Sequence, residues 1–517
     1  MKSLSIGITN LNPIWKIILD QIKPPYFHIK NSSFDKLNEH ACVIINSNSG
    51  LIKSDIYKYI FEGGGIIIES NIAKKLFKIS TRDLFVKYIN SDMDEIFSQV
   101  TPGIINSTLS ISKKSKFLKD QYGRFLIDTF TIGKGYGIII PSGLIDCIKS
   151  IKNRRKNFPS LNNFFPNERV SEVSKRSIRE IIYFSLLKIY DKKKLPLLTL
   201  NEFPNENKTI FNFRIDTDFA KKNEIEKLYS ICKSYNIKAT WFVETKSSNN
   251  WINIYKSMEK QEIGLHCYRH KVFNNLKKNK MNIQKGISIL EKNGIKDFGF
   301  ASPFGTWNNS LSQTINYFNF KYSSEFALDY DNLPFYPMIN QNKSSNVLQV
   351  PIHPICVGSL KNSKHSYNQM KEYYSNLIKN NTSNNLPIFI YDHPKQFDEK
   401  ILKWLFKKIN GLNLPSLTLM DFSKWWKERL KIKWNANILN DKIIIDYQNW
   451  NDSVFLKISK LNMKSIISNK SDLTDIKNLK WKIKNANSIS TNYEQLNKIN
   501  RKIIMNNILQ FYWKIKL

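Results

Sequence analysis

Cysteine is scarce in this 517-residue chain, with five residues at positions 42, 147, 232, 267 and 356. The number is odd and no two fall in a CxxC pair, which argues against a disulfide scaffold and against a cysteine-based zinc site. Reduced thiols in a reducing compartment are expected. Long apolar runs are also missing. No stretch approaches the ~20 residues needed to span a bilayer, so no transmembrane segment is expected. The N-terminus MKSLSIGITNLNPIWKIILDQIKPP lacks an uninterrupted apolar run ended by small residues, so no signal peptide is read there and a cytoplasmic location is expected.

Acidic residues are the third shortage: 43 Asp and Glu face 79 Lys and Arg, giving a net charge of +36. Clustered basic residues would imply nucleic acid or another polyanion, because they bind phosphates strongly. Here the lysines are spread almost evenly and accompany a great excess of Asn and Ile, as in NNLKKNKMN (274–282). This is the pattern left by codon drift in an AT-rich genome, and no nucleic-acid partner is expected. Only KNRRKNF (152–158) forms a basic cluster, and a solvated loop is its expected form.

The length suggests roughly three domains. The first, 1–195, opens with SIGITN, ACVIINSNSG and GGGIIIES, each a short apolar run, with KSDIYKYIFEGG reading as a helix after the second. This predicts an open, flavodoxin-like α/β domain. GKGYGIIIPSGL (133–144) resembles a late strand of glutamine-amidotransferase-like or ThuA-like domains, but the resemblance includes no catalytic residue. Cys42 reads as a core thiol, and the glycines at 63–65 as a tight turn. KKKLPLLTLNEFPNENKT (192–209), charged and holding two prolines, reads as a linker.

From Ile210 short apolar strands alternate with helices: FNFRID, KATWFVE, EIGLH, DFGFASP, KYSSEF, VLQVPIHP, PIFIYDHP and LPSLTLM. Seven or eight such units predict parallel strands closed into a (β/α) barrel over 205–430. After residue 431, KIIIDYQNW, VFLKISKL and the closing NNILQFYWKIKL predict a small C-terminal β domain, 431–517.

Active sites of parallel barrels lie at the C-terminal ends of the strands. Asp216 and Asp218 end the first barrel strand, His266 ends EIGLH with His270 four residues on, His353 ends VLQVPIHP, and His393 ends PIFIYDHP. On a helix, His266 and His270 would share one face. Two imidazoles and a carboxylate make a three-ligand set that leaves a coordination position open. Zinc suits it best, with other divalent first-row metals accepted by the same donors. A second carboxylate could act as general base and a histidine across the mouth could protonate a leaving group. This describes metal-assisted hydrolysis of an amide or ester.

The constellation resembles the polysaccharide deacetylase family, the NodB-homology domain of carbohydrate esterases, over roughly 205–430. The resemblance implies a distorted barrel and a divalent metal used to remove N- or O-acetyl groups from a sugar or glycan. RIDTD (214–218) resembles the first motif and implies Asp216 as general base and Asp218 as metal ligand. HCYRH resembles the second and implies His266 and His270 as the remaining ligands. FASPFGTWN (300–308) resembles the third at Pro303 and Phe304, with Trp307 beside them as a substrate-binding candidate. Here the sequence departs from the family, because Ala301 stands where an arginine usually steadies the base. Arg214 could take over that task or form a structural ion pair. IYDHP resembles the fifth motif and implies His393 as general acid, with His353 a competitor. Asp392 could orient an imidazole or cap its loop. Trp425 and Trp426 read as core packing. The expected partner is an acetylated glycan in surface-polysaccharide metabolism. The rival reading is a barrel that has lost catalysis and binds glycan as a recognition or scaffold module.

Overall fold

A computed structural model describes residues 1–91, 96–340, 343–469, 476, 479–483 and 501–516. The molecule is mixed α/β and its contacts divide it into two compact units.

The first unit combines 1–150, 173–206 and 427–490. Its nine-stranded sheet has Tyr26–His28 at one edge and then, as the sequence suggests, apolar strands Ile6–Ile8, Cys42–Ile45, Gly65–Glu69 and Gly135–Ile140, all five running parallel. The sheet then turns antiparallel, through Phe125–Ile132, Phe117–Asp120, Thr81–Asn90 and Gly103–Ser112. Buried isoleucines at 66, 67 and 68 fill the strand Gly65–Glu69, as expected where both faces of a parallel sheet are covered. Cys42 is fully buried among them, and burial pushes its thiol up to about 12.

Two segments depart from the sequence reading. The proposed linker 192–209 contains a strand, Leu197–Leu200, whose residues are all buried. It pairs with Leu456–Ser459. Strand Lys433–Leu439 likewise pairs with Lys2–Ser3. The strands expected to form a separate C-terminal domain therefore complete sheets with the N-terminal part of the chain. Buried Arg429 ties these pieces together, donating to the carbonyls of Asn201 (2.8 Å), Asp20 (2.9 Å) and Leu200 (3.0 Å). The closing segment, read as a strand, is the helix Arg501–Lys516. Residues 484–500 of the expected C-terminal domain lie outside the described residues.

The second unit combines 151–172, 207–426 and 491–517. Four parallel strands lie in the order Glu262–Leu265, Ala239–Val243, Phe211–Asp216, Ile388–Asp392. Helices follow these strands, including Lys222–Ser234, Leu276–Lys292 and Glu399–Gly411. Beyond Leu265 the ladder thins to single parallel bridges through Phe300, which reach the short pair Tyr322–Ser323 and Leu348–Gln349. The amide of His353 donates to the Phe389 carbonyl at 3.0 Å. Among the described residues LPSLTLM contributes one bridge, Phe211 to Ser416. The regular barrel of seven or eight strands is thus not formed: among the described residues no continuous ladder closes. KNRRKNF is not a loop either, since Asn153–Asn157 forms a hairpin with Asn167–Ser171.

Candidate metal centre and the groups around it

The strand Phe211–Asp216 is apolar at alternate positions and buried throughout, and it delivers Asp216 and then Asp218 to its C-terminal end. His266 follows the neighbouring strand Glu262–Leu265 directly. The residues from His266 to His270 form an irregular loop in which Cys267 has φ +74°, so no helix aligns the two histidines. The turn nevertheless brings their rings to 5.1 Å.

Asp218 Oδ1 lies 3.0 Å from His266 Nε2 and 3.1 Å from His270 Nε2. The His266 ring is oriented by its other nitrogen, whose Nδ1 donates to the Ala301 carbonyl at 2.8 Å. That bond leaves Nε2 with its lone pair facing the carboxylate, the arrangement usual for a metal-ligating histidine. His270 Nε2 and Asp218 Oδ1 are buried and lack a hydrogen-bond partner among the described residues. Orphaned buried donors and acceptors are costly, and a divalent cation would satisfy both. The donor set of two imidazoles and one carboxylate, all within 4.8 Å of one another, fits such an ion. Burial would raise the Asp218 carboxyl, but the flanking histidines in their protonated form, His270 first, hold it well below the usual carboxylate range.

His393 faces the same aspartate from the end of strand Ile388–Asp392, with Nε2 3.5 Å from Asp218 Oδ2. Burial opposes its protonation, yet Cys356 and the carboxylates of Asp218 and Asp216 push the ring up to about 10. Asp392 accepts from the His393 backbone N–H at 2.9 Å, which caps the turn. His353 is placed elsewhere. Its Nε2 pairs with the Tyr373 hydroxyl at 3.0 Å, its ring packs edge-on to Phe158, and burial lowers it to about 3.

Asp216 is gripped by Arg214 through two hydrogen bonds, Nε to Oδ1 at 2.7 Å and Nη2 to Oδ2 at 2.6 Å. The arginine has no exposed surface, lies between the rings of Phe242 and Tyr391, and donates to the Ser324 carbonyl. Its guanidinium thus reaches the carboxylate from the same strand, while Ala301 contributes a methyl group and a carbonyl. Near it sits Glu325, fully buried and pushed up to about 8 by that burial. Glu325 was missed in the sequence, although SSEF directly follows a strand end.

The SPFG turn is strained. Phe304 has φ +56° and Gly305 φ +55°, and a Cβ on Gly305 would lie 2.3 Å from the Phe326 ring. A left-handed non-glycine residue costs roughly 1–2 kcal/mol. The turn holds the Phe304 ring edge-on to His270 at 4.7 Å. Pro303 and Trp307 are buried within it. Trp425 and Trp426 pack with Phe422.

The residues that carry this geometry fall largely within one recognisable segment: positions 206–323 match the family model "Polysaccharide deacetylase". The chain carries a polysaccharide deacetylase domain. The match includes Arg214, Asp216, Asp218, His266, His270 and the SPFG turn, and ends before His393. Solved structures similar to the deacetylase region include one from Mycobacterium smegmatis assigned as a polysaccharide deacetylase, 14% identical, covering 44% of this chain and 92% of that chain with a TM-score of 0.37. A probable polysaccharide deacetylase from Pseudomonas aeruginosa is 13% identical, covering 43% and 91% with a TM-score of 0.38. A CE4 family pseudoenzyme from Bacillus anthracis is 15% identical, covering 42% and 66% with a TM-score of 0.30. No curated protein matches the chain.

Proposed function

We propose that the chain is a metal-dependent hydrolase that removes an acetyl group from an acetylated sugar or glycan, in the metabolism of a surface polysaccharide. The observation that carries this reading is the convergence of Asp218, His266 and His270 into one donor set, faced by His393, at strand ends of the deacetylase domain. Asp218, His266 and His270 would hold the ion, zinc by preference for such donors. When bound, it supplies the Lewis acidity for attack on an acetyl carbonyl.

The protein's own groups then divide the proton traffic. Asp216 accepts a proton from the attacking water, whose oxygen joins the acetyl carbon as acetate forms. Arg214 fixes both carboxylate oxygens of Asp216, doing from the base's own strand what the family's third-motif arginine does. His393 donates a proton to the sugar nitrogen or oxygen as its bond to the acyl carbon breaks. Phe304 closes one side of the cleft at His270. Ala301 in place of the motif arginine favours the second reading, a glycan-binding domain without catalysis.

One experiment decides between them. Purified protein should hold close to one divalent ion per chain, and the His266→Ala, His270→Ala double variant none. Asp216→Asn should keep its ion and release acetate from N-acetylated glucosamine oligomers ~10²–10⁴-fold more slowly, the usual weight of acid–base catalysis. Full activity in Asp216→Asn would remove the assigned base. No metal in the unmodified protein after zinc or cobalt supply would favour the binding module.

A further inference from the structure

His393 also belongs to a second cluster. Cys356, Asp392 and His393 each offer an atom within 4.8 Å of the others. Cys356 precedes the helix Val357–Asn362, is 3% exposed, and its Sγ sits 3.3 Å from the Ser359 hydroxyl. Asp392 is fully buried; its Oδ1 accepts from the His393 backbone amide, while Oδ2 is buried without a hydrogen-bond partner among the described residues. The Nδ1 atom of His393 is buried and has no hydrogen-bond partner among the described residues, while Nε2 lies 3.5 Å from Asp218 Oδ2.

We propose that Cys356 is a positioning residue for His393: its thiol pairs with Nδ1 and so keeps a proton on Nε2, the nitrogen that faces the reacting centre. This rests on the proposed deacetylase function. The neutral imidazole has one N–H, and its position is fixed by the partner of the other nitrogen. A thiol that donates to Nδ1 makes that nitrogen the acceptor and assigns the N–H to Nε2. When the ring is protonated, Nδ1–H donates to sulfur instead, and Nε2–H is retained for the leaving group. The sulfur can serve both states because the Ser359 hydroxyl can rotate to donate to it or accept from it. Asp392 cannot replace it in this task while ionised, since a carboxylate only accepts and its free Oδ2 would draw the neutral ring's single N–H to Nδ1. The same three atoms could bind a second ion, but a cation on Nδ1 would withdraw electron density from the ring and displace the sulfur's hydrogen bond. The two arrangements are therefore distinguishable by metal content.

A proton donor matters most when the leaving group is poor. The test compares Cys356→Ala and Cys356→Ser with the unmodified protein on two probes, an N-acetylated glucosamine oligomer, whose amine leaves only with a proton, and 4-nitrophenyl acetate, whose phenolate leaves without one. The expected result is a fall in kcat for Cys356→Ala on the oligomer at least ~10-fold larger than on the aryl ester. KM should stay within about twofold, metal content should remain at one ion per chain in all three proteins, and Cys356→Ser should recover most of the loss through its hydroxyl. Equal losses on both probes, no loss on either, or a second ion that disappears with the thiol would each overturn the role of Cys356. An unmodified protein inert on both probes would overturn the catalytic reading itself, and this inference with it.

Discussion

Arg214 pairs with Asp216 in a geometry that the sequence left open. The sequence offered it as a substitute for the absent motif arginine or as a structural ion pair, and spacing could not separate them because residues i and i+2 on a strand share a face. The structure adds the geometry: two hydrogen bonds to Asp216, none of the guanidinium surface exposed, and aromatic rings on both sides. Removing one member of such a pair leaves an uncompensated buried charge, which typically costs about 3–5 kcal/mol. Arg214→Met should therefore lower the unfolding free energy of the domain by that order, read as a shift in the denaturant midpoint. The double variant Arg214→Met, Asp216→Asn should be markedly less destabilised. If the single variant loses activity without losing stability, the pair serves the base alone; a loss in neither would remove both roles. His353 teaches the opposite lesson at this scale. It follows a strand as short as Leu348–Gln349, so the chain leaves strand geometry before reaching it, and its side chain turns to Tyr373.

At the scale of elements, the strand ends were legible and the connections between them were not. ATWFV is a strand because β-branched and aromatic residues fill both faces, and FNFRID because its apolar residues alternate with polar ones that are themselves buried; these runs place the acidic and histidine residues at the strand ends. HCYRH has helical spacing but loop structure, since Cys267 takes a positive φ that no helix tolerates. Register between strands is held partly by a polar group that no periodicity reveals. Glu262 begins the His266 strand and accepts hydrogen bonds from Tyr322 Oη (2.5 Å), Thr240 Oγ1 (2.9 Å) and the Met420 amide (2.9 Å). Burial raises its carboxyl from 4.5 to about 7. A carboxyl raised on folding stabilises fully below its unfolded value, and that contribution is lost as pH climbs from about 4.5 to 7. The protein should therefore lose on the order of 3 kcal/mol relative to a Glu262→Gln variant between pH 5 and pH 8. Urea unfolding of both proteins at the two pH values reads the difference directly. Parallel pH profiles would mean that Glu262 is ionised throughout.

At the scale of the whole molecule, domain boundaries were the least legible feature, because pairing partners far apart in sequence leave no local signal. Leu197–Leu200 reads as a linker until Leu456–Ser459 is seen beside it, and a strand buried by a distant partner looks in sequence like any short apolar run. Charge is the feature that belongs to no element. The one basic cluster in the sequence is built into a hairpin, where Arg155 approaches Glu168 at 3.5 Å and Lys156 is buried, so it offers no open phosphate-binding loop. The remaining excess is spread over the chain, and a net charge of +36 repels itself in the compact state. Added salt screens that repulsion once the Debye length falls to about 10 Å, near 0.1 M. Exposed pairs such as Lys36–Glu39 weaken under the same screening but contribute little. Repulsion should win, and the thermal midpoint should rise by a few degrees between low ionic strength and about 0.2 M sodium chloride. Sodium sulfate at matched ionic strength separates screening from ion binding: equal rises with both salts indicate diffuse repulsion, whereas a much larger rise with sulfate would reveal a discrete anion site within the basic surface. A fall in the midpoint would mean that local ion pairs outweigh the net charge.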